Sequence, residues 1–239
     1  MSGHSHWAGI KHRKGINDAK RAKIFTKLAR PITIAAKGGG NPETNFKLRL
    51  AIDKAREYNM PKENIDRAIE RGTGEGKDAA RIEEFVYEGF GPGNTALLIK
   101  ASTENKNRTV SEVKSILTKG GGKFVPAGSA SFLFREEGEI VLDVSPENRE
   151  SAELGAIEAG ADDTEYDSEE HALFVFTSVS SLQSVREALE KILPLSSVSI
   201  VFRPKERVSI SEGDRAKLDL LLETLNDHDD VDTVYDNAA

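Results

Sequence analysis

The chain has 239 residues, 38% hydrophobic and 31% charged, room for one large domain or two to three small ones and too apolar for wholesale disorder. It has no cysteine and no run near ~18 consecutive apolar residues, which excludes disulfides, Cys-ligated metal, thiol chemistry and a membrane-spanning helix. The net charge of -7 is unevenly spread: residues 1–81 hold 18 Lys+Arg against 9 Asp+Glu, and residues 1–40 hold nine basic side chains and one acid, Asp18. A contiguous basic block on an acidic body is the footprint of a module for a polyanion.

Met1–Arg13 lacks the apolar core of a signal peptide, and Gly3, Gly9 and Gly15 interrupt any amphipathic helix there. Residues 1–17 have little to bury, so they are expected to be poorly ordered in the free protein. From Asp18 to Lys37 the residues Ala22, Phe25, Leu28, Ala29, Ile32 and Ala36 recur at helical period, with Pro31 expected to kink or split the helix near Arg30. Gly38–Gly40 ends it. Asn41-Pro42 reads as an N-cap and first helical residue of a second helix reaching Tyr58, with Phe46, Leu50 and Ala55 inward. Pro61 opens a third, with Ile65, Ala68 and Ile69 on one face and Gly72 as its left-handed cap. Three short helices predict a small bundle.

Residues 72–76 read as a linker. Phe85–Tyr87 and Ala96–Ile99 read as strands across Gly91-Pro92-Gly93. Val110, Val113, Ile116 and Leu117 mark a helix, and Phe132–Phe134 a further strand. Strand 140–144, helix 146–159, strands near 164–166 and 172–176, helix 182–193 and strand 198–202 follow in the β-α-β-β-α-β order of a ferredoxin-like unit. The tail, a Leu218/Leu221/Leu222/Leu225 helix and strand 231–235, cannot bury its apolar faces alone. Returned to the incomplete unit at 85–134, it gives an α+β protein of three domains: a basic helical domain over 1–81, a discontinuous α+β domain over 82–136 and 205–239, and an inserted ferredoxin-like domain over 137–204.

Catalytic signatures are missing. Residues 72–78 (GTGEGKD) have one residue too few between glycines for a phosphate-binding P-loop, and Asp78 stands where Ser or Thr is needed. Gly89–Gly93 lies between strands, and Pro92 has no amide to donate. No G-x-S-x-G, H-E-x-x-H or calcium-loop pattern occurs. His4, His6 and His12 lack a fourth metal ligand at useful spacing, so neither metal nor cofactor is expected. The acidic runs Asp162-Asp163 and Asp227–Asp232 read as solvated faces. The candidate site is basic: Lys11, His12, Arg13 and Lys14 in the leading segment, then Lys20, Arg21, Lys23, Lys27 and Arg30 on the first helix. Lys20, Lys23, Lys27 and Arg30 follow i, i+3, i+7, i+10, one face suited to a phosphate backbone. Trp7 is placed either to stack on a base or to anchor the leading segment.

The run His4-Ser5-x-Trp7-x-x-Ile10-Lys11-His12-x-Lys14, then Asp18-x-Lys20-Arg21-x-Lys23-x-Phe25-Thr26-Lys27-Leu28, resembles the start of the YebC family. The likeness continues through Asn59-Met60-Pro61-Lys62-x-Asn64-Ile65, Tyr87-Glu88-Gly89-Phe90-Gly91-Pro92-Gly93 and Asn107-Arg108-Thr109-Val110. Two positions depart from the family pattern: His6 stands where Lys is usual, and Pro31 where Glu is usual. The resemblance implies three domains, one inserted in another, and a cytoplasmic regulator of gene expression, either a DNA-binding transcriptional regulator or a ribosome-associated translation activator. The family-like run starts at Gly3, which argues against a transit peptide. The reading taken forward is a monomeric, non-enzymatic binder of nucleic acid with no membrane partner. It acts on the ribosome and rRNA, with duplex DNA as the alternative target and a protein-binding adaptor as the third reading.

Overall fold

The computed structural model describes residues 18–74 and 81–239, with side chains from Arg21 onward. The chain is α+β, with seven α-helices and eight strands in two four-stranded sheets among the described residues. Residues up to Arg135 together with Pro204–Ala239 form one compact unit, and Glu136–Arg203 a second. Among the described residues, no helix is long and apolar enough to cross a membrane.

The first unit opens with three helices, α1 (Asp18–Ala36), α2 (Phe46–Glu57) and α3 (Lys62–Thr73). Helix α1 runs through Pro31 as one element, contrary to the expected break. Leu28, Ile32 and Ala36 on one side of it are buried against Leu48, Ile52, Ala55, Ile65 and Ala68. That stripe holds the helix to its neighbours, and packing outweighs the one backbone donor proline lacks. The N-cap of α2 is Asn45, not Asn41: Asn45 accepts from the Leu48 amide and donates to the Ala35 and Gly39 carbonyls. Asn41 instead accepts from the Glu43 amide in the preceding turn. Gly72 lies inside α3, and Gly74 (φ 79°) supplies the left-handed cap. Gly72 serves close packing, since a Cβ there would meet the Thr33 carbonyl oxygen at 2.3 Å. Of the linker expected over 72–76, Gly72 and Thr73 are helical and Gly74 is the cap, because α3 continues to pack on α1 there; residues 75–76 fall outside the described residues.

The same unit contains β1 (Glu83–Phe90), β2 (Ala96–Thr103), α4 (Lys106–Lys119), β3 (Lys123–Val125), α7 (Glu212–Asp227) and β8 (Val231–Asp236). Its sheet runs β3-β1-β2-β8, all neighbours antiparallel. The third strand is Lys123–Val125. Phe132-Leu133, expected as strand, lie in a 3₁₀ turn with Phe132 exposed, and Phe134 starts a strand of the other sheet. Leu218, Leu221 and Leu225 of α7 pack with Tyr87, Leu97, Ile99, Val113 and Leu117 in one core, with Leu222 against it.

The second sheet is built from β4 (Phe134–Asp143), β5 (Asp163–Asp167), β6 (Ala172–Thr177) and β7 (Leu195–Pro204), in the order β5-β6-β4-β7. Helices α5 (Arg149–Glu158) and α6 (Leu182–Leu189) alternate with these strands as the ferredoxin-like order requires. Every residue of β6 is buried, as a strand covered on both faces must be. The Asp162-Asp163 pair is exposed, as expected of a solvated face, and is also bonded: Asp162 accepts from the Ser178 amide, and Asp163 pairs with Arg203, whose guanidinium lies 3.9 Å from the Phe176 ring centroid.

Candidate nucleic-acid interface

Trp7, Lys11, His12, Arg13 and Lys14 lie outside the described residues, as do the side chain of Lys20, the three leading histidines and the expected disorder of residues 1–17. Arg21 is exposed. The other three basic residues of α1 are committed within the chain. Helix α7 has no basic residue in its last turn, so its terminal carbonyls, the negative end of its dipole, lack a cation of their own. Helix α1 supplies it. Lys23 donates to the Asp227 carbonyl and pairs with Asp229 at 3.3 Å. Lys27 donates to the carbonyls of Asn226 and Val231, the latter at 2.8 Å. Arg30 donates to the carbonyls of Ser102 and Asp229, and pairs with Asp230 at 3.2 Å.

The acidic turn is therefore largely structural, not a solvated face. Asp230 is 2% exposed and accepts from Arg108 (2.6 Å), Thr109 (2.8 Å) and Thr103 (3.3 Å) besides its pairing with Arg30. Burial opposes its charge, but the Arg108 and Thr109 hydrogen bonds and the Arg30 and Arg108 charges outweigh burial and hold its carboxyl below the usual range. Asp232 behaves oppositely: burial pushes it up to about 6, although Ser102 donates to it at 2.6 Å. Asp227 and Asp229 remain exposed.

Lys27 is 6% exposed, and burial, then the neighbouring Lys23 charge, lower it to about 8. The unfolded chain therefore holds more protons than the folded one between about 8 and 10.5, and this lysine makes stability rise with pH across that window. Between about pH 8 and about pH 9.5 the folded protein should gain on the order of 1 kcal/mol relative to Lys27→Met, read from urea midpoints. Parallel pH profiles for the two proteins would contradict this account of Lys27.

A second feature was not legible in the sequence. A cleft of about 1130 Å³ opens between α1, α3 and the turn from β2 into α4, lined by Arg30, Arg67, Arg71 and Arg108 together with Asn64 and Asn105. Asn105 caps α4, accepting from the Arg108 amide. Nearby, Glu112, His228 and Asp230 cluster. His228 Nδ1 accepts from the Asp230 amide, so Nε2 carries the proton and donates to Glu112 at 2.8 Å. Arg108 reaches both carboxylates. With both ring nitrogens used and a guanidinium among the carboxylates, this is an ion-pair network and not a cation cage.

The chain matches two family models along most of its length. Residues 5–75 match the TACO1/YebC protein N-terminal domain, and residues 82–238 the TACO1/YebC second and third domain. A probable transcriptional regulatory protein of Caldanaerobacter subterraneus subsp. tengcongensis is 46% identical over 241 residues, covering 100% of this chain and 98% of that protein. One from Chloroflexus aggregans is 48% identical over 242 residues, covering 99% and 95%. The crystal structure of a conserved hypothetical protein from Aquifex aeolicus superposes with a TM-score of 0.87 at 42% identity, covering 98% of this chain and 97% of that one. Full-length identity, both family models and the shared three-dimensional structure place the chain in the TACO1/YebC family.

Proposed function

We propose that the chain is a non-enzymatic, cytoplasmic regulator of gene expression that binds nucleic acid through its basic N-terminal domain and acts on the ribosome and rRNA as a translation activator. The observation that carries this reading is the contiguous excess of positive charge in residues 1–40, nine basic side chains against one acid. With Lys27 and Arg30 engaged by the acidic turn, the phosphate contacts fall to Lys11, His12, Arg13, Lys14, Lys20 and Arg21, with half-exposed Lys23 at the edge. Lys27 and Arg30 hold the helical bundle, domain 1–81, to the acidic turn. The remaining chain forms the discontinuous domain 82–136 and 205–239 and its insert 137–204. A Gly-, His- and Lys-rich leading segment suits folded RNA, and no helix-turn-helix among the described residues supports duplex reading. The second reading, a DNA-binding transcriptional regulator, is favoured by the names of the relatives.

Sedimentation with ribosomes beside duplex-DNA binding, both across a salt series, decides between them. Removal of Met1–Lys14 takes away Lys11, Arg13 and Lys14, so log K against log[salt] should flatten by about 2 to 3. The melting temperature should stay nearly unchanged. A deletion that lowers the melting temperature by several degrees and spares binding would make the segment structural and overturn its role. Salt-sensitive binding to duplex DNA with none to ribosomes would favour the second reading.

A further inference from the structure

We propose that the arginine cleft between α1, α3 and the β2–α4 turn binds a single-stranded RNA segment, with its phosphates on Arg67, Arg71 and Arg108 and a base against Phe25 and Met60. The proposal rests on the nucleic-acid reading above and extends it to a site outside the basic N-terminal run.

Charge comes first. Two acids, Glu104 and Asp230, line the cleft beside its four arginines, and Arg108 also meets Glu112 at 3.9 Å. Arg30 and Arg108 share Asp230, but the Arg108 side chain is still 54% exposed. Arg67 is bonded to neutral groups, the Glu63 carbonyl and the Asn64 side chain. Arg71 meets Glu104 only at 3.7 Å, with both side chains about half exposed, a pairing worth little in water. Among the described residues, two guanidiniums thus stand with weak or no acidic partners, and a third keeps donors toward solvent. The planar fork of arginine fits phosphate oxygens bidentately, which a point charge does not.

Shape and the chemistry of the lining select the class of ligand. The cleft exceeds the ~300–1,000 Å³ typical of small-molecule sites, so it admits more than one nucleotide unit. Phe25, half-buried, and the buried Met60 and Ile82 add apolar lining to the arginines. In a duplex the base faces are stacked on each other, whereas unpaired bases offer them to aromatic and guanidinium surfaces. An acidic peptide would match the charge and leave the apolar lining without a role. Ala22, one turn into α1, also lines the cleft.

The test uses the full chain, a 4-thiouridine-labelled single-stranded RNA, the same sequence as a duplex, and poly-glutamate. Arg67 and Arg71 are surface residues, so Arg67→Ala/Arg71→Ala should keep the wild-type melting curve. It should weaken single-stranded RNA binding about tenfold and make the salt slope shallower by about 1.4, at ~0.7 per phosphate contact. In the wild-type protein, photo-crosslinks should map to the peptides holding Phe25 or Met60, a readout independent of any variant. Unchanged RNA affinity and slope in the double variant, with crosslinks elsewhere, would overturn the cleft proposal. It would leave the broader reading standing if removal of Met1–Lys14 still weakens RNA binding. A double variant that loses poly-glutamate and keeps RNA would mark the cleft as a site for acidic peptide and overturn the proposal equally. A wild-type chain that binds neither RNA nor DNA would sink the nucleic-acid reading itself.

Discussion

Truncation after Ser209 should unfold the first sheet and leave residues 136–203 folded. The lost segment carries α7 and β8. It supplies Leu218, Leu221, Leu225, Val231 and Val234 to the core that Tyr87, Leu97, Ile99, Ala101, Val113 and Leu117 share. Five side chains at ~1.5–3 kcal/mol each amount to roughly 10 kcal/mol of burial, as large as the ~5–15 kcal/mol stability of a whole domain. The truncation also removes the partner of β2 along Leu97–Ala101 and bares that edge. The other unit keeps its own buried set, including Ile140, Leu142, Leu173, Val175, Leu182, Val185 and Leu189, all from its own strands and helices. Hydrogen exchange reads the outcome directly: amides of Leu97–Ile99 should lose protection while those of Leu173–Phe176 keep it. Protected Leu97–Ile99 amides in the shortened chain would show that the tail is dispensable.

That pairing of tail and sheet was legible because a leucine stripe without a local partner has to find one elsewhere. The β-α-β-β-α-β order was legible for a similar reason, since alternating periods 2 and 3.6 survive in the sequence whatever the packing. Lys123–Val125 was not: three residues carry no period, and Phe132-Leu133-Phe134 is the more apolar run although two of its members sit in a turn. Caps failed by a few residues for a local reason. Asn41 and Asn45 are equally able to cap, and Gly72 and Gly74 equally able to turn. Only the approach of α3 to Thr33 on α1 sets Gly72 inside the helix.

The candidate site was legible as charge and illegible as partnership. Lys23, Lys27 and Arg30 read identically whether they face phosphate or a turn about 200 residues later, because the period of a helix says which side chains share a face and nothing of what meets it. A buried acid is likewise invisible in a run such as Asp227–Asp232, where Asp229 is exposed and Asp230 is not. Arg67 and Arg71 share α3, but Arg108 sits on α4, more than thirty residues later, and no sequence pattern links it to them.

Asp230→Ala should cost about 3–5 kcal/mol, the range for removing one partner of a buried ion pair. Arg30, Arg108, Thr109 and Thr103 all bond to this one carboxylate, and alanine leaves two guanidiniums and two hydroxyls without their acceptor. Asp230→Asn keeps one acceptor oxygen and the side-chain shape, so its loss should be smaller, about 2 kcal/mol. The pH dependence follows from the depressed carboxyl. Because its folded value lies below the unfolded 3.8, the ion-pair contribution is complete above the unfolded value and is lost as pH falls through the folded one. Asp232, raised to about 6, works against stability as pH rises from 3.8 toward 6, so the wild-type profile should show both an acid limb and a shallow decline above it. In Asp230→Ala the acid limb should flatten while the Asp232 decline persists. Urea midpoints by circular dichroism across that range measure both. A variant less than about 1 kcal/mol weaker than wild type, with its acid limb intact, would mean that the four donors find other acceptors. Asp230 would then not be what joins α1 and α4 to the acidic turn.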